Sequence, residues 1–222
     1  MRALILTVVI VVFSLAGIFV ANLSIGYWPT LQQWWVEQQP PLYQTPNQAL
    51  LERIDNETVN KISWSALLPE DDKAILLEYQ AKPPESVSDL TEQILRSIQA
   101  SSDEQYQAAM SSINTVDSFD NSAVAIPGFI VPIEYHSDQS PSLIFIVPYF
   151  GACIHFPPPP PNQIIFARLT PGFNNLDMTE AYLFTGVLTQ ELFEDPLGTS
   201  AYALEVAEID AFISDPDDFR NH

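Results

Sequence analysis

The chain has 222 residues, of which 28 are Asp or Glu and 8 are Lys or Arg, so its formal net charge is −20. Because phosphate backbones are bound by clustered Lys and Arg, this balance argues against nucleic acid as a partner, and anionic lipid head groups are equally disfavoured. An acidic surface suits solubility, the attraction of cations or a basic protein partner. A single cysteine in the whole chain cannot form an internal disulfide.

The N-terminus carries one positive charge, Arg2, followed by an apolar run over residues 3–21. About 20 apolar residues span a bilayer, and a shorter apolar core after a positive charge is typical of a signal peptide. Residues 1–22 are therefore predicted to be a signal anchor or a cleaved signal peptide. Since the positive flank stays inside, both alternatives export residues 23–222.

Residues 23–120 are predicted to be a mixed and helical region. Trp28, Trp34 and Trp35 follow the apolar run. These three indole rings either lie at the lipid interface, where such rings are favoured, or pack on the folded part of the chain.

Two helices are predicted within this region. Asp71 and Asp72 can cap and charge the start of the first helix, which runs to about Tyr79. The second helix opens at Ser86, and its apolar residues at helical spacing form a packing stripe made of Leu90, Ile94, Leu95 and Ile98. Residues 101–114 are a weaker helix or a hairpin between helices.

Residues 121–213 differ in composition from the helical region before them, because they contain runs rich in Val, Ile, Phe and Tyr with turn residues between the runs. The predicted strands are 124–135, 143–156, 163–169, 181–192 and 201–212. Gly128 and Gly186 fall in mid-strand, where a small barrel bends sharply. The predicted fold class is α+β: an N-terminal membrane segment and helices, then an autonomous five-stranded OB-like Greek-key β-barrel over 121–213, with a β-sandwich as the alternative. Residues 214–222 form an acidic tail.

The candidate site is the segment around the only cysteine, Cys153, and one of the three histidines, His155. In an extended strand, side chains alternate between two faces, and one face here is apolar, with Phe150, Ala152, Ile154 and Phe156. The alternation places Cys153 and His155 together on the other face. A lone cysteine is otherwise a small buried hydrophobic residue, and a bulge at Gly151 would shift the alternation by one residue.

Five consecutive prolines, 157–161, follow this pair. Proline cannot continue a sheet ladder, so the run is either a rigid connector that ends the strand or an exposed polyproline ridge that docks in an aromatic groove.

Several strings of the chain resemble an uncharacterised family of bacterial exported proteins, domain-of-unknown-function family 3299. The strings are ISWSALLP at 62–69, IPGFIVPIE at 126–134, VPYFGACIH at 147–155 and PPPPPNQ at 157–163. The resemblance covers about residues 60–210 and implies no assigned activity. It does imply genes beside ABC transporters of the MacB-like type, some of them connected with zinc limitation.

Cys153 and His155 are the predicted metal ligands, because a thiolate and an imidazole are good ligands for zinc. A closed zinc site takes four ligands, so a Cys-x-His pair needs further donors. The same pair could form a thiolate–imidazolium couple for nucleophilic catalysis. Neighbours at i and i+2 of a strand, however, lie side by side rather than in the geometry that proton transfer needs.

The register expected for the hairpin argues against Glu134 and His136 as further metal ligands. A turn centred near Gln139 pairs Glu134 with Phe145 and His136 with Leu143, far from the cysteine. Further ligands would come from other strands or loops, or from a partner chain, and the candidates are Glu205, Glu208 and Asp177.

The sequence therefore predicts a non-enzymatic accessory protein of the bacterial cell envelope, associated with the inner-membrane components of a MacB-like ABC transport system. It would be held at the inner membrane by residues 3–21 with its folded part in the periplasm, or secreted to the periplasm. The first alternative is a periplasmic zinc-binding module that uses Cys153 and His155. The second alternative is a thiol-dependent enzyme.

Overall fold

The computed structural model describes residues 39–79, 87–152, 158–174, 176–213 and 216. Residues Pro41–His222 form one compact unit. Several predictions fall outside the described residues: the apolar run 3–21, Trp28, Trp34 and Trp35, the pair Cys153 and His155, and the acidic tail apart from residue 216. No helix in the part that the structure describes is long and apolar enough to cross a bilayer.

The helices of the described part are α1 Gln48–Asn56, α2 Glu70–Glu78, α3 Val87–Ser102 and α4 Glu104–Met110, with 3-10 turns at Trp64–Leu67, Asp117–Phe119 and Pro161–Gln163. The helices predicted after Pro69 and at Ser86 are confirmed as α2 and α3. The stripe predicted to pack on the second of them is, however, exposed at Ile94, Leu95 and Ile98. Helix α1 lies in a stretch that the sequence analysis left without an assigned helix.

Capping explains where these helices begin. The side chain of Asn47 accepts a hydrogen bond from the backbone N–H of Leu50 and starts α1. Asp103 accepts from the backbone N–H groups of Gln105 and Tyr106 and starts α4. Helix α2 follows Pro69 and has three acidic residues in its first turn, where negative charge complements the helix dipole.

The strands are β1 Tyr43–Gln44, β2 Asn60–Lys61, β3 Ser122–Tyr135, β4 Pro141–Val147, β5 Ile165–Arg168, β6 Ala181–Asp195 and β7 Gly198–Phe212. Among the described residues they form one seven-stranded sheet. Each of the five strands predicted in the second half overlaps one of β3 to β7, although β4 covers only the first part of the predicted strand 143–156. The α+β class is confirmed.

The pairings of the five longer strands run in a circuit. Strand β3 pairs with β4 and β6, β4 pairs with β5, β5 pairs with β7, and β7 pairs with β6. The pairing of β5 with β7 is parallel and short, over Ile165–Ala167, whereas β6 and β7 pair antiparallel from end to end. The five strands therefore pair in a closed circuit, but the number of paired residues differs greatly between one strand pair and the next.

Strand β4 is shorter than predicted. It ends at Val147, and Gly151 has a positive φ of 76° in the turn that follows. Phe150 is 52% exposed and Ala152 is fully buried, so these two residues do not share one face. The alternation assumed for 150–156 is therefore wrong over 150–152, because the strand has already ended.

Both faces of the sheet around β4 are apolar. Ile144 and Ile146 belong to one cluster of buried residues, and Phe145 and Val147 belong to another. We call the first cluster the inner layer. We call the second the outer layer, with buried members Phe129, Phe145, Val147, Ala152, Ile164, Phe166, Ala181 and Ala203. A fully buried Val, Ile or Phe side chain contributes about 1.5–3 kcal/mol to the free energy of folding.

The N-terminal part of the described chain completes the inner layer. Tyr43, Ile62, Trp64 and Leu67 are members of that cluster, and Trp64 and Leu67 are fully buried. The independence of residues 121–213 as a folding unit stays a prediction.

Candidate functional site

The last part of the proline run packs into the protein. Pro158 is exposed, Pro159 and Pro160 are buried, and Asn162 and Gln163 are completely buried. Over its described residues the run fits a rigid connector better than an exposed ridge, because two of its prolines are buried and offer little surface to a partner.

Gln163 connects this junction to the Trp64 turn. Its side-chain Nε2 donates to the carbonyl of Trp64 at 2.9 Å, and the indole Nε1–H of Trp64 donates to the carbonyl of Pro127 at 2.6 Å. Three of the strings that carry the family resemblance therefore meet at one buried point. Since buried polar groups are costly unless paired, these side chains fix the loops to the sheet.

Asn162 makes a second connection. Its Nδ2 donates to the Asp72 carboxylate at 3.1 Å and to the carbonyl of Asn114 at 3.2 Å. Three fully buried atoms, Asn162 Oδ1, Gln163 Oε1 and Ser200 Oγ, have no hydrogen-bond partner among the residues described. Such buried acceptors are commonly satisfied by internal water.

Tyr202 closes the same region from β7. Its hydroxyl donates to the carbonyl of Leu67 at 3.0 Å and accepts from the backbone N–H of Val116 at 2.6 Å. Burial raises the pKa of Tyr202 to about 12. Tyr202 is therefore neutral at ordinary pH, and the polar groups of this junction hold the structure together.

The segment that holds Cys153 and His155 is tethered at both ends. Ala152 is fully buried before it, and Pro159 and Pro160 are buried after it. The ligand roles of Cys153 and His155 lie outside the described residues and stay predictions.

The three further ligand candidates each have another partner. Glu205 accepts from Asn47 Nδ2 at 3.1 Å, and Glu208 accepts from Gln44 Nε2 at 2.7 Å. Asp177 accepts from the side chain and backbone of Thr179, and those hydrogen bonds lower the pKa of its carboxyl group. Within the described ranges, no group of three or more His, Cys, Asp or Glu could hold a metal ion.

The hairpin between β3 and β4 has a different register from the predicted one. Glu134 pairs with Leu143, and Phe145 pairs with Val131 instead, so the hairpin turns earlier in the chain than predicted. His136 lies in the loop, where its Nε2 is 2.8 Å from the carbonyl of Leu169.

The outer layer carries a partly exposed apolar patch. Val131, Ile133, Leu143 and Phe193 are partly buried and pack on that layer, and we call these four residues the outer patch. Its base is aromatic: Phe193 stacks on Phe166 with ring centroids 3.8 Å apart, and Phe193 meets Phe145 edge-on at 6.0 Å.

Sequence reasoning missed the buried amides and the outer layer. Asn and Gln are mostly exposed residues, so nothing marked Asn162 and Gln163 as interior. The outer layer had a signal, because the unbroken apolar run of residues 143–147 is typical of a strand that is covered on both faces.

The chain belongs to a family of unknown function, DUF3299, whose sequence model matches residues 64–211. The crystal structure of a DUF3299 family protein from Pseudomonas aeruginosa PAO1 is similar, with a TM-score of 0.50 and 26% sequence identity, covering 71% of this chain and 99% of the other. No curated protein matches the sequence significantly.

Proposed function

We propose that this protein is a non-enzymatic accessory component of a bacterial cell-envelope transport system of the MacB-like ABC type, and that it works by binding another protein. The outer patch carries the proposal. It is an apolar surface on a strongly acidic chain, and partly exposed apolar patches rimmed by polar residues mark sites of protein interaction.

The strand circuit supports a binding role. We interpret the five longer strands as an OB-like Greek-key barrel, in which β3 to β7 are strands one to five. In such barrels the face of the second and third strands is the binding surface. Those strands are β4 and β5 here: Leu143 of the outer patch lies on β4, and Phe193 of the patch stacks on Phe166 of β5.

The buried junction fits the same role. Trp64, Asn162, Gln163 and Tyr202 all hydrogen-bond to backbone carbonyls or to side chains inside the protein. Trp64, Asn162 and Gln163 belong to the strings that carry the family resemblance, and their contacts explain these three residues by folding rather than by chemistry on a substrate. The position in the inner membrane or the periplasm is part of the proposal.

A zinc-binding module that uses Cys153 and His155 is the alternative. What favours it is that the segment between Ala152 and Pro159 begins and ends at buried residues, since ligands held on anchored loops lose less entropy on binding a metal.

The experiment is affinity purification of the tagged full chain from cross-linked bacterial membranes. We expect ABC transporter subunits of the MacB-like type to be recovered with it, and an equally acidic exported protein with the same tag to recover none. Equal recovery with both baits would contradict the accessory role.

A further inference from the structure

We propose that the outer patch and the adjoining tip of the β6–β7 hairpin bind a protein segment that presents apolar side chains flanked by Lys or Arg. This inference rests on the proposed function and adds the site and the chemistry of the partner.

The hairpin tip, residues 191–198, lies over the outer layer. Phe193 stacks on Phe166, and a Cβ placed on Gly198 would be 3.6 Å from the Phe145 ring and 3.7 Å from Ile164 Cδ1. The two anchor points fix the tip against the sheet. Leu192 and Leu197 are next to these anchors in the chain, and both are about half exposed, at 52% and 51%.

The proposed surface combines the outer patch with the tip. Val131, Ile133 and Leu143 supply its sheet side, and Leu192 and Leu197 supply its rim. Paired residues of neighbouring strands share a face, and the pairs Val131–Phe145 and Phe145–Phe166 place β3, β4 and β5 side by side beneath it.

The charges around this surface select the partner. Glu134, Glu191 and Glu194 are exposed on the same strands. Arg168 is the one cation between Arg96 and Arg220 in the sequence, and its guanidinium lies 4.5 Å from the centre of the Phe166 ring. A surface with apolar side chains and an acidic rim is complementary to an apolar segment with basic flanks.

The same charges disfavour other occupants. A second copy of this chain would bring an equally acidic rim against this one, and like charges across an interface are costly. Nucleic acid and anionic lipid are repelled by a chain of net charge −20.

The test uses the full chain in phosphatidylcholine nanodiscs, with empty nanodiscs subtracted. The probes are a fluorescein-labelled peptide of alternating Leu and Lys and a matched peptide with Glu in place of Lys. Binding is followed by fluorescence anisotropy at low and at physiological salt. We expect the Lys peptide to bind more weakly as salt rises, and the Glu peptide not to bind.

Matched variants locate the site. Leu192→Ser with Leu197→Ser should weaken binding of the Lys peptide at least about tenfold, as removal of interface anchors does. The control is Leu95→Ser with Ile98→Ser on α3, whose side chains are similarly exposed, at 55% and 58%; it should change binding less than about twofold. Glu191→Gln with Glu194→Gln should flatten the salt dependence, and Glu52→Gln with Glu78→Gln should not.

Three results of the binding assay would overturn the proposal. They are no binding of the Lys peptide, equal binding of both peptides, or equal losses of affinity in the Leu192/Leu197 variant and the Leu95/Ile98 control. Sedimentation that shows a dimer dissolved by the Leu192 and Leu197 substitutions would make a second copy the occupant and would also overturn it. If the affinity purification still recovers the transporter when any of these results is found, the accessory role is supported and this binding site is rejected. Peptide binding without transporter recovery would reject the accessory role.

Discussion

The indole Nε1–H of Trp64 donates a hydrogen bond of 2.6 Å to the carbonyl of Pro127. This bond joins the 3-10 turn before α2 to the middle of the first long strand. Because Trp64 is completely buried and its own carbonyl accepts from Gln163, one residue ties the helical part and the proline junction to the sheet.

We expect Trp64→Phe to lower the free energy of unfolding by about 2–4 kcal/mol, since it leaves a cavity and an unpaired buried carbonyl. Urea denaturation followed by far-UV circular dichroism measures this loss. Ile94→Ala is the control: Ile94 is exposed on α3, so its loss should stay within about 0.5 kcal/mol. Equal losses in both variants would contradict the anchoring role of Trp64.

Gly128 makes room for the same indole. A Cβ there would lie 2.8 Å from Ile146 Cγ2, 3.0 Å from the Val147 carbonyl oxygen and 3.1 Å from Trp64 Cζ2. Gly128→Ala should therefore destabilise the protein by about 1–3 kcal/mol through overpacking. Gly198→Ala is the matched control, because its Cβ would meet its nearest atoms at 3.6 and 3.7 Å. Thermal melting that ranks the two variants in the opposite order would refute this packing.

Tyr202 gives a pH signature. Burial raises its pKa in the folded protein to about 12, against an ordinary value of 10.0. A raised pKa means that the stabilisation is fully present below the unfolded value and is lost as the pH rises through the folded value. Tyr202→Phe removes the hydrogen bonds to Leu67 and Val116 and should cost about 1–3 kcal/mol at neutral pH.

The deficit of the Tyr202→Phe variant should shrink between pH 10.0 and about 12, because in this range the tyrosine of the unfolded wild type ionises while that of the folded protein keeps its proton. Urea unfolding of both proteins at several pH values measures the deficit. Tyr79, whose pKa is also raised to about 12 by its hydrogen bond to Asp103, is present in both proteins and cancels. A deficit that is constant over this range would show that the Tyr202 hydroxyl is not buried as described.

The zinc alternative makes a prediction of its own. If it holds, the purified full chain carries zinc, and Cys153→Ser and His155→Ala each remove it while leaving the free energy of unfolding of the metal-free protein nearly unchanged. Elemental analysis and thermal melts measure both properties. A wild type without zinc, together with a loss of about 1–3 kcal/mol in Cys153→Ser, would identify the cysteine as a core residue and reject the site.

The positions of the five long strands could be predicted because composition and turn residues mark them. The end of β4 could not, because residues 148–152 keep an apolar alternation through a turn, and periodicity does not register a change of backbone direction. The hairpin register differs because the turn lies earlier in the chain than Gln139, and a run of polar loop residues does not mark the centre of a turn.

The outer patch depends on the sheet as a whole. Phe193 and Phe166 are far apart in sequence, and their stacking follows from the pairing of β6 with β7 and of β5 with β7. An alternating pattern on one strand can indicate a buried face, but it cannot tell which distant hairpin covers that face or which part of it stays exposed.

Photocross-linking tests the central claim most directly. Benzoylphenylalanine is placed at residue 192 on the hairpin tip or at residue 95 on α3, in the full chain expressed in bacteria that also produce the MacB-like transporter. If the hairpin tip binds a transporter component, we expect a cross-link to that component from position 192 and none from position 95. Absence of a cross-link from position 192, or equal cross-linking from both positions, would contradict the claim.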